Sequence, residues 1–157
     1  MLQVLVLCHG NICRSPLAEV LIEAAVAADL HLAGRVAVSS AGTSNEHAGE
    51  GMHANSAAIL SARGLRNTHQ ARHFTPTMAA TLDVVLAADQ ANLRNGRAII
   101  RMADTQPEIR LLRDFDPTAV GRDLDDPWGH PPTEYERVAV EISAAIPGLL
   151  AELRDRL

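Results

Sequence analysis

Hydrophobic and polar residues follow one another along this chain in a pattern that predicts alternating strands and helices. Short apolar runs between turn residues indicate buried strands, whereas apolar residues spaced three and four apart indicate helices with one buried face. The runs predict four strands, at residues 2–7 (LQVLVL), 35–39, 83–89 (DVVLAAD) and 109–112 (IRLL). The helical spacing predicts helices at about 16–28 and 56–63, a short helical turn after Thr75-Pro76, a helix from about residue 90 and a last helix over about 135–153.

Proline and glycine mark the breaks in this pattern. Pro16 suits the first turn of a helix, where its missing N–H has no partner to lose. Pro147 and Gly148 fall inside the last helix, where we expect a kink or a short break. Residues 114–132 (DFDPTAVGRDLDDPWGHPP) are so rich in Pro, Gly and Asp that they predict a long loop.

The order of these elements predicts an α/β fold. Strands that alternate with helices form a parallel sheet through right-handed crossovers, with helices on both faces. We therefore expect a single domain over residues 1–157, with a four-stranded parallel sheet flanked by helices. In such sheets ligands bind beyond the carboxyl ends of the strands. The link between strand 1 and helix 1 is thus the first place to look for a site.

Composition and charge exclude several classes of function. The formal net charge of -5 argues against a nucleic-acid or membrane-surface partner. All 14 cationic residues are arginine, which excludes lysine Schiff-base chemistry and the lysine of a Walker phosphate loop. No apolar run approaches the ~20 residues of a membrane span, and no signal segment precedes Cys8. With only two cysteines in 157 residues, we expect a reduced, cytoplasmic protein.

The segment CHGNICRSP, residues 8–16, contains the candidate reactive and anion-binding residues. Gly10 and Asn11 tolerate positive φ, so the loop can curl until its backbone N–H groups point inward at the start of helix 1. Such a nest binds a tetrahedral dianion, and the planar fork of Arg14 can hold two of its oxygens. The same dipoles and the guanidinium would favour the thiolate form of Cys8. The plain alternative is a small buried cysteine ahead of an ordinary helix start.

A second group is needed to protonate a leaving group, and the long loop offers several carboxyls for it. Residues alone leave Asp116-Pro117 and Asp126-Pro127 in competition, because proline biases each preceding aspartate toward extended geometry. His69 and His73 lie four residues apart but have no further ligand at suitable spacing. We therefore expect neither a metal nor a cofactor.

Five segments resemble one known family, the low-molecular-weight protein tyrosine phosphatases. They are the phosphate-loop string itself, SSAGT at 39–43, HQAR at 69–72, DVVLAADQANL at 83–93 and DDPWG at 125–129, in family order through nearly the whole chain. The resemblance implies that Cys8 attacks phosphorus, that Arg14 stabilises the transition state and that Asp126 is the general acid and base. It implies that the phosphate is bound by the loop residues Cys8, His9, Gly10, Asn11, Ile12, Cys13, Arg14 and Ser15.

The resemblance also implies supporting roles around the loop. Ser15 would hydrogen-bond the Cys8 thiolate, Asn11, Ser40 and His69 would brace the loop, and Glu19 is a candidate for the same network. Trp128 would form one wall against a substrate phenyl ring, although the family usually has two aromatic residues here and this chain has one. His47 and His53 are the residues that could approximate a second wall. Cys13 is either a disulfide partner that protects Cys8 or a small residue facing the core.

Three functions remain open from the sequence. The first is a phosphatase acting on phosphotyrosine-containing proteins without a cofactor. The second is an arsenate reductase of the same fold that uses a small-thiol or redoxin partner. Versions coupled to a redoxin need further downstream cysteines, and none follows Cys13, whereas a version that uses a small thiol stays open. The third is a binding module that retains the loop without turnover, against which Cys8, Arg14 and Asp126 argue together. The sequence leaves the oligomeric state open.

Overall fold

A computed structural model describes all 157 residues. They form four strands, five α-helices and one short 3₁₀ helix over Leu112–Phe115. The strands are β1 (Leu2–Cys8), β2 (Val36–Gly42), β3 (Val84–Ala87) and β4 (Glu108–Leu111). The helices are α1 (Arg14–Ala28), α2 (Ala54–Ala62), α3 (Pro76–Ala79), α4 (Gln90–Ile100) and α5 (Pro132–Asp155).

The four strands form one parallel sheet in the order β2-β1-β3-β4. Because β1 is paired on both sides, its last five residues are buried on both faces, which explains its continuous apolar run. The register places Cys8 opposite Gly42 and Leu7 opposite Ala87. The carboxyl ends of β1, β2 and β3 therefore meet at one edge of the sheet.

Helices cover both faces of the sheet, as the alternation predicted. Val4 and Val6 of β1 belong to the larger apolar cluster, which they share with α1, α2 and α5. Leu5 and Leu7 point the other way, into a smaller cluster that includes Ala79 of α3 and Ile100 of α4. The predicted α/β class, the four parallel strands and the two helical layers are confirmed. None of the helices combines the length and hydropathy that crossing a membrane requires.

The predicted break in the last helix is wrong. α5 continues without interruption from Pro132 to Asp155, with Pro147 inside it. Buried residues on both sides of Pro147, among them Ile142 and Leu149, pack into the same core, so tertiary packing holds the helix together. Gly148 has a packing role instead, because a Cβ there would lie 2.1 Å from the carbonyl oxygen of Phe115.

Element boundaries differ from the prediction where side chains form caps and turns. α1 begins at Arg14, two residues before the predicted start at Pro16, so the phosphate loop runs directly into the helix. α2 is capped by His53, whose ring accepts a hydrogen bond from the Asn55 N–H. α4 is capped by Asp89, whose carboxylate accepts from the Asn92 N–H at 2.8 Å.

Candidate active site

The loop between β1 and α1 curls around the sulfur of Cys8. Asn11 adopts φ 58°, and it is the one non-glycine residue with positive φ. This conformation turns the Asn11 N–H toward Cys8, and its nitrogen lies 3.3 Å from Sγ. The end of β2 approaches the loop closely, because a Cβ at Gly42 would lie 2.6 Å from the His9 carbonyl oxygen. A glycine at position 42 therefore lets the loop rest directly on the neighbouring strand.

The side chain of Asn11, which is 0% exposed, holds the loop together from inside. Its amide nitrogen donates to Ser15 Oγ at 2.8 Å and to Ser40 Oγ at 3.0 Å. Its amide oxygen accepts from the backbone N–H of Arg72 at 2.9 Å. His69 Nε2 lies 2.7 Å from the Asn11 carbonyl oxygen and donates to it, since a carbonyl can only accept. Asn11 thus contacts Ser15, Ser40 and His69, the other residues expected to brace the loop.

This network leaves the Ser15 hydroxyl able to donate to Cys8. Ser15 Oγ lies 2.9 Å from Cys8 Sγ, and both groups are buried. Because Ser15 already accepts from the Asn11 amide, its own hydroxyl proton is free to point at the sulfur. Sγ then accepts from the Ser15 hydroxyl and from the Asn11 N–H. Two donors on one sulfur suit a thiolate better than a thiol.

Glu19 on α1 continues the network on the side away from Cys8. Its carboxylate accepts from the Ser40 hydroxyl and lies 4.0 Å from His69 Nδ1. Burial lowers the pKa of His69 below its usual value, and the neighbouring Arg66 and Arg72 act in the same direction, against Asn11 and Glu19. A neutral His69 ring that carries its proton on Nε2 satisfies both the pKa and the hydrogen bond to Asn11.

Arg14 is buried beside the loop, with 2% of its surface exposed. Its Nη1 donates to Asp89 Oδ2 and to the carbonyl oxygen of Leu124, each at 2.7 Å. Burial alone would lower the pKa of Arg14, but the negative groups at Cys8, Asp89 and Asp126 raise it above the usual value. Nη1 is therefore used to orient the side chain, and the rest of the guanidinium faces the pocket.

Asp89 and the Leu124 carbonyl did not emerge from the sequence. Asp89 follows β3 at the sheet edge that also carries Cys8, and this position was the available signal for it. The Leu124 contact uses a backbone oxygen and had no signal in the sequence. Asp89 serves two elements, since Oδ1 caps α4 while Oδ2 holds Arg14.

The structure separates the two Asp-Pro candidates. Asp126 Oδ2 lies 4.0 Å from Arg14 Nη2, and the side chain lines the same pocket as Cys8. Asp116 instead accepts from the Thr118 N–H and hydroxyl within its own turn, and these bonds lower its pKa. Asp125 points toward Arg137 at 3.5 Å. We call residues 116–131 the acid loop, and within it Asp126 is the aspartate next to Arg14.

The pocket above Cys8 opens to solvent. Trp128 stands at its rim with 54% of its surface exposed. The ring centroids of His47 and His53 lie 5.6 and 5.7 Å from that of Trp128, and of these two histidines His47 lines the pocket. The lining residues are Cys8, His9, Gly10, Ile12, Cys13, Arg14, Glu46, His47, Asp126 and Trp128.

Cys13 faces inward beneath the loop. Its Sγ lies 3.6 Å from the hydroxyl of Tyr135, and both residues are buried. Burial raises the pKa of the Cys13 thiol to about 11, against a smaller lowering by the Tyr135 hydrogen bond. Cys13 is therefore a protonated thiol at neutral pH.

The histidines considered as metal ligands have separate partners. His69 bonds to Asn11, and His73 Nε2 lies 3.2 Å from the carbonyl oxygen of Thr43. No group of three or more His, Cys, Asp or Glu side chains is arranged to hold a metal ion.

Comparison with known proteins gives a consistent result over nearly the whole length. Residues 3–157 match the family model described as low molecular weight phosphotyrosine protein phosphatase. A low molecular weight protein-tyrosine-phosphatase of Streptomyces coelicolor is 39% identical, covering 96% of this chain and 92% of that protein. Low molecular weight protein-tyrosine phosphatase A of Mycobacterium tuberculosis is 35% identical, with coverages of 99% and 94%. The crystal structure of YfkJ from Bacillus subtilis superimposes with a TM-score of 0.87 at 29% identity, covering 99% of this chain and 96% of that one.

Proposed function

Since this chain belongs to the low molecular weight phosphotyrosine protein phosphatases, a family of phosphoric monoester hydrolases, we propose that it hydrolyses phosphotyrosine in proteins through a phosphocysteine on Cys8. We assign residues 1–157 to one catalytic domain. In this reaction water replaces the tyrosine oxygen on phosphorus in two steps, and no cofactor takes part. Cys8 reacts only when reduced, which favours a reducing compartment such as the cytoplasm.

In the first step the Cys8 thiolate attacks phosphorus, forming the S–P bond while the bond from phosphorus to the tyrosine oxygen breaks. The two donors on Sγ, from Asn11 and Ser15, support the ionised form of the nucleophile. The fixed loop holds sulfur in line with the departing oxygen, which lowers the entropic part of the barrier.

Charge develops on the three equatorial oxygens of the transferring phosphoryl group. The inward backbone N–H groups of residues 9–15 and the Arg14 guanidinium are the donors for these oxygens. Arg14 is already oriented by Asp89 and the Leu124 carbonyl, so little reorganisation is needed when substrate arrives. A buried guanidinium held in this way is worth more to the transition state than a flexible surface cation.

Asp126 transfers a proton in each of the two steps. As a carboxylic acid it protonates the departing tyrosine oxygen, and as a carboxylate it then accepts a proton from the water that attacks phosphocysteine. Its half-exposed side chain, at 51%, can reach both the leaving group and solvent water. In the second step the S–P bond breaks, inorganic phosphate leaves, and Ser15 stabilises the returning thiolate.

The observation that carries this proposal is the convergence of three groups in one pocket. Cys8, Arg14 and Asp126 line it together, although they come from three parts of the chain. Trp128 at the rim offers an apolar surface for the phenyl ring, and we assign it as a substrate wall.

The proposal is tested with the purified chain on p-nitrophenyl phosphate and on a phosphotyrosine peptide. We expect turnover of both, a burst of p-nitrophenol when the second step is slow, and a phosphate adduct on Cys8 after acid quenching. Cys8→Ser should abolish turnover while still binding inorganic phosphate. Turnover of arsenate with a thiol donor, without hydrolysis of either phosphate ester, would contradict the proposal.

A further inference from the structure

Arg66 forms the outer end of the hydrogen-bond network that reaches Cys8. Its guanidinium makes three directed contacts: Nη2 to Glu19 at 3.1 Å, Nε to Glu23 at 2.9 Å and Nη1 to the Thr68 carbonyl at 2.9 Å. Glu19 and Glu23 lie one turn apart on α1, so a single planar group spans both carboxylates. The third contact ties the same group to the segment that carries His69.

A continuous set of contacts leads inward from Arg66. Glu19 accepts from Ser40, Ser40 accepts from the Asn11 amide, and that amide also reaches Ser15, which touches Cys8. Glu19 is largely buried, with 13% of its side chain exposed, whereas Arg66 is 38% exposed. A carboxylate at this depth needs a cation to remain ionised and in place. Arg66 is the nearest cation to Glu19, at 3.1 Å.

His69 is the other side chain within reach of Glu19 that could carry a positive charge, but its lowered pKa keeps it neutral. Its ring faces Glu19 of α1 at 4.0 Å, with Arg66 and Arg72 of its own segment nearby. β2 has no charged side chain that could act on the His69 ring. The carboxylate of Glu50 is bonded to His47. Burial is the main cause of the lowered His69 pKa, and the charges of Arg66 and Arg72 act in the same direction.

We propose that Arg66 is a positioning residue for the phosphate loop, holding Glu19 where it accepts from Ser40 and thereby fixing Asn11. Without the guanidinium, the Glu19 carboxylate turns toward His69 or solvent and releases Ser40. Asn11 then loses one of the partners that keep its strained backbone conformation. The inference rests on the proposed function for its kinetic part, because the positioned loop is the one that binds the phosphoryl group.

The test compares Arg66→Met with Arg66→Lys, using Arg63→Met as the matched control. Arg63 is an exposed arginine at the end of α2 whose side chain makes no hydrogen bond or ion pair. We expect kcat for p-nitrophenyl phosphate to fall about 5–10-fold in Arg66→Met. Arg66→Lys keeps the charge but loses the fork, so it should lose about 2–3-fold. Arg63→Met should match the wild type.

A second measurement separates positioning from general loss of structure. NMR titration of the His69 ring should show its pKa rising in Arg66→Met, because a repelling charge is removed and Glu19 then acts on His69 alone. Arg66→Lys should leave that pKa near the wild-type value. Wild-type kcat in Arg66→Met, or a fall in kcat with an unmoved His69 titration, would overturn the proposal.

Two further arrangements keep the result interpretable. If Arg66→Met does not fold, Arg66→Lys and Glu23→Gln carry the same comparison, and wild-type kcat in both would overturn the proposal. If the wild-type chain fails to hydrolyse aryl phosphates, the proposed function fails. Inorganic phosphate binding and the His69 titration would then still report on Arg66, and no change in either on Arg66→Met would reject its positioning role.

Discussion

The phosphate loop and the acid loop form opposite walls of one pocket but are built in opposite ways. In the phosphate loop Asn11, Arg14 and Ser15 are all buried, and Asn11 and Arg14 make hydrogen bonds to other parts of the fold. In the acid loop Asp126 and Trp128 are exposed, and the bond between them is local. One wall is held by long-range contacts, and the other is held mainly at its root.

That root is Leu124, and it connects the two loops. Its side chain is fully buried, its N–H donates to the Ala88 carbonyl at 2.8 Å and its carbonyl accepts from Arg14. Beyond it Gly129 has positive φ, and a Cβ at that position would meet open space. Stabilising phosphoryl charge needs fixed donors, whereas donating a proton and later activating water needs a carboxyl that reaches solvent. The contrast in construction fits this division of work.

The largest expected effect comes from replacing Arg14, the cation of the phosphate loop. Arg14→Lys keeps the positive charge but removes the fork, so it cannot hold Asp89, the Leu124 carbonyl and phosphate oxygens together. We expect kcat for p-nitrophenyl phosphate to fall about 10³-fold or more. Steady-state kinetics checks this, and a loss under tenfold would show that the fixed geometry of Arg14 matters little.

The next effect concerns the exposed wall and depends on the substrate. Asp126→Ala removes the proton donor, so phenyl phosphate, with its poor leaving group, should lose about 10²–10⁴-fold in kcat. A substrate with an activated leaving group needs less protonation and should lose far less. The ratio of kcat values for the two substrates measures this difference. Equal losses would reject Asp126 as the acid.

The same contrast explains what could be predicted from the sequence. The phosphate loop is a contiguous segment, so Cys8, Asn11 and Arg14 could be recognised as one unit from their spacing, and Ser15 from the family resemblance. The strands were predictable because buried parallel strands give continuous apolar runs. Both features depend on residues that are close together in the sequence, so a local pattern is enough to predict them.

Long-range polar contacts were not predictable in the same way. Arg14 meets Asp89 and Leu124 across 75 and 110 residues of sequence, and Arg66 meets Glu19 across 47. The spacing of these residues in the sequence does not predict such pairs, because the register of the sheet and the packing of α1 bring them together. The continuity of α5 through Pro147 has the same origin, since tertiary packing overrides the local preference.

A smaller but decisive effect compares stability in the two loops. Asn11→Ala leaves several buried groups without partners and places an alanine at φ 58°, so it should destabilise the fold by about 2–4 kcal/mol. Asp125→Ala, in the exposed acid loop, should change the free energy of unfolding by about 0.5 kcal/mol or less. Urea unfolding of both variants checks the pair. Similar losses would mean that the acid loop is as firmly built into the fold as the phosphate loop.

The smallest expected effect lies at the rim, where we propose that Trp128 contacts the substrate ring. An aromatic contact at an exposed position is worth about 0.5–1.5 kcal/mol, so Trp128→Ala should raise KM for a phosphotyrosine peptide about 3–10-fold. The contact exists equally in the ground state and the transition state, so kcat should stay within about twofold. Trp128→Phe keeps an aromatic face and should restore most of the affinity. A fall in kcat with unchanged KM would instead mean that the Trp128 side chain acts in the transition state, and would reject it as a substrate wall.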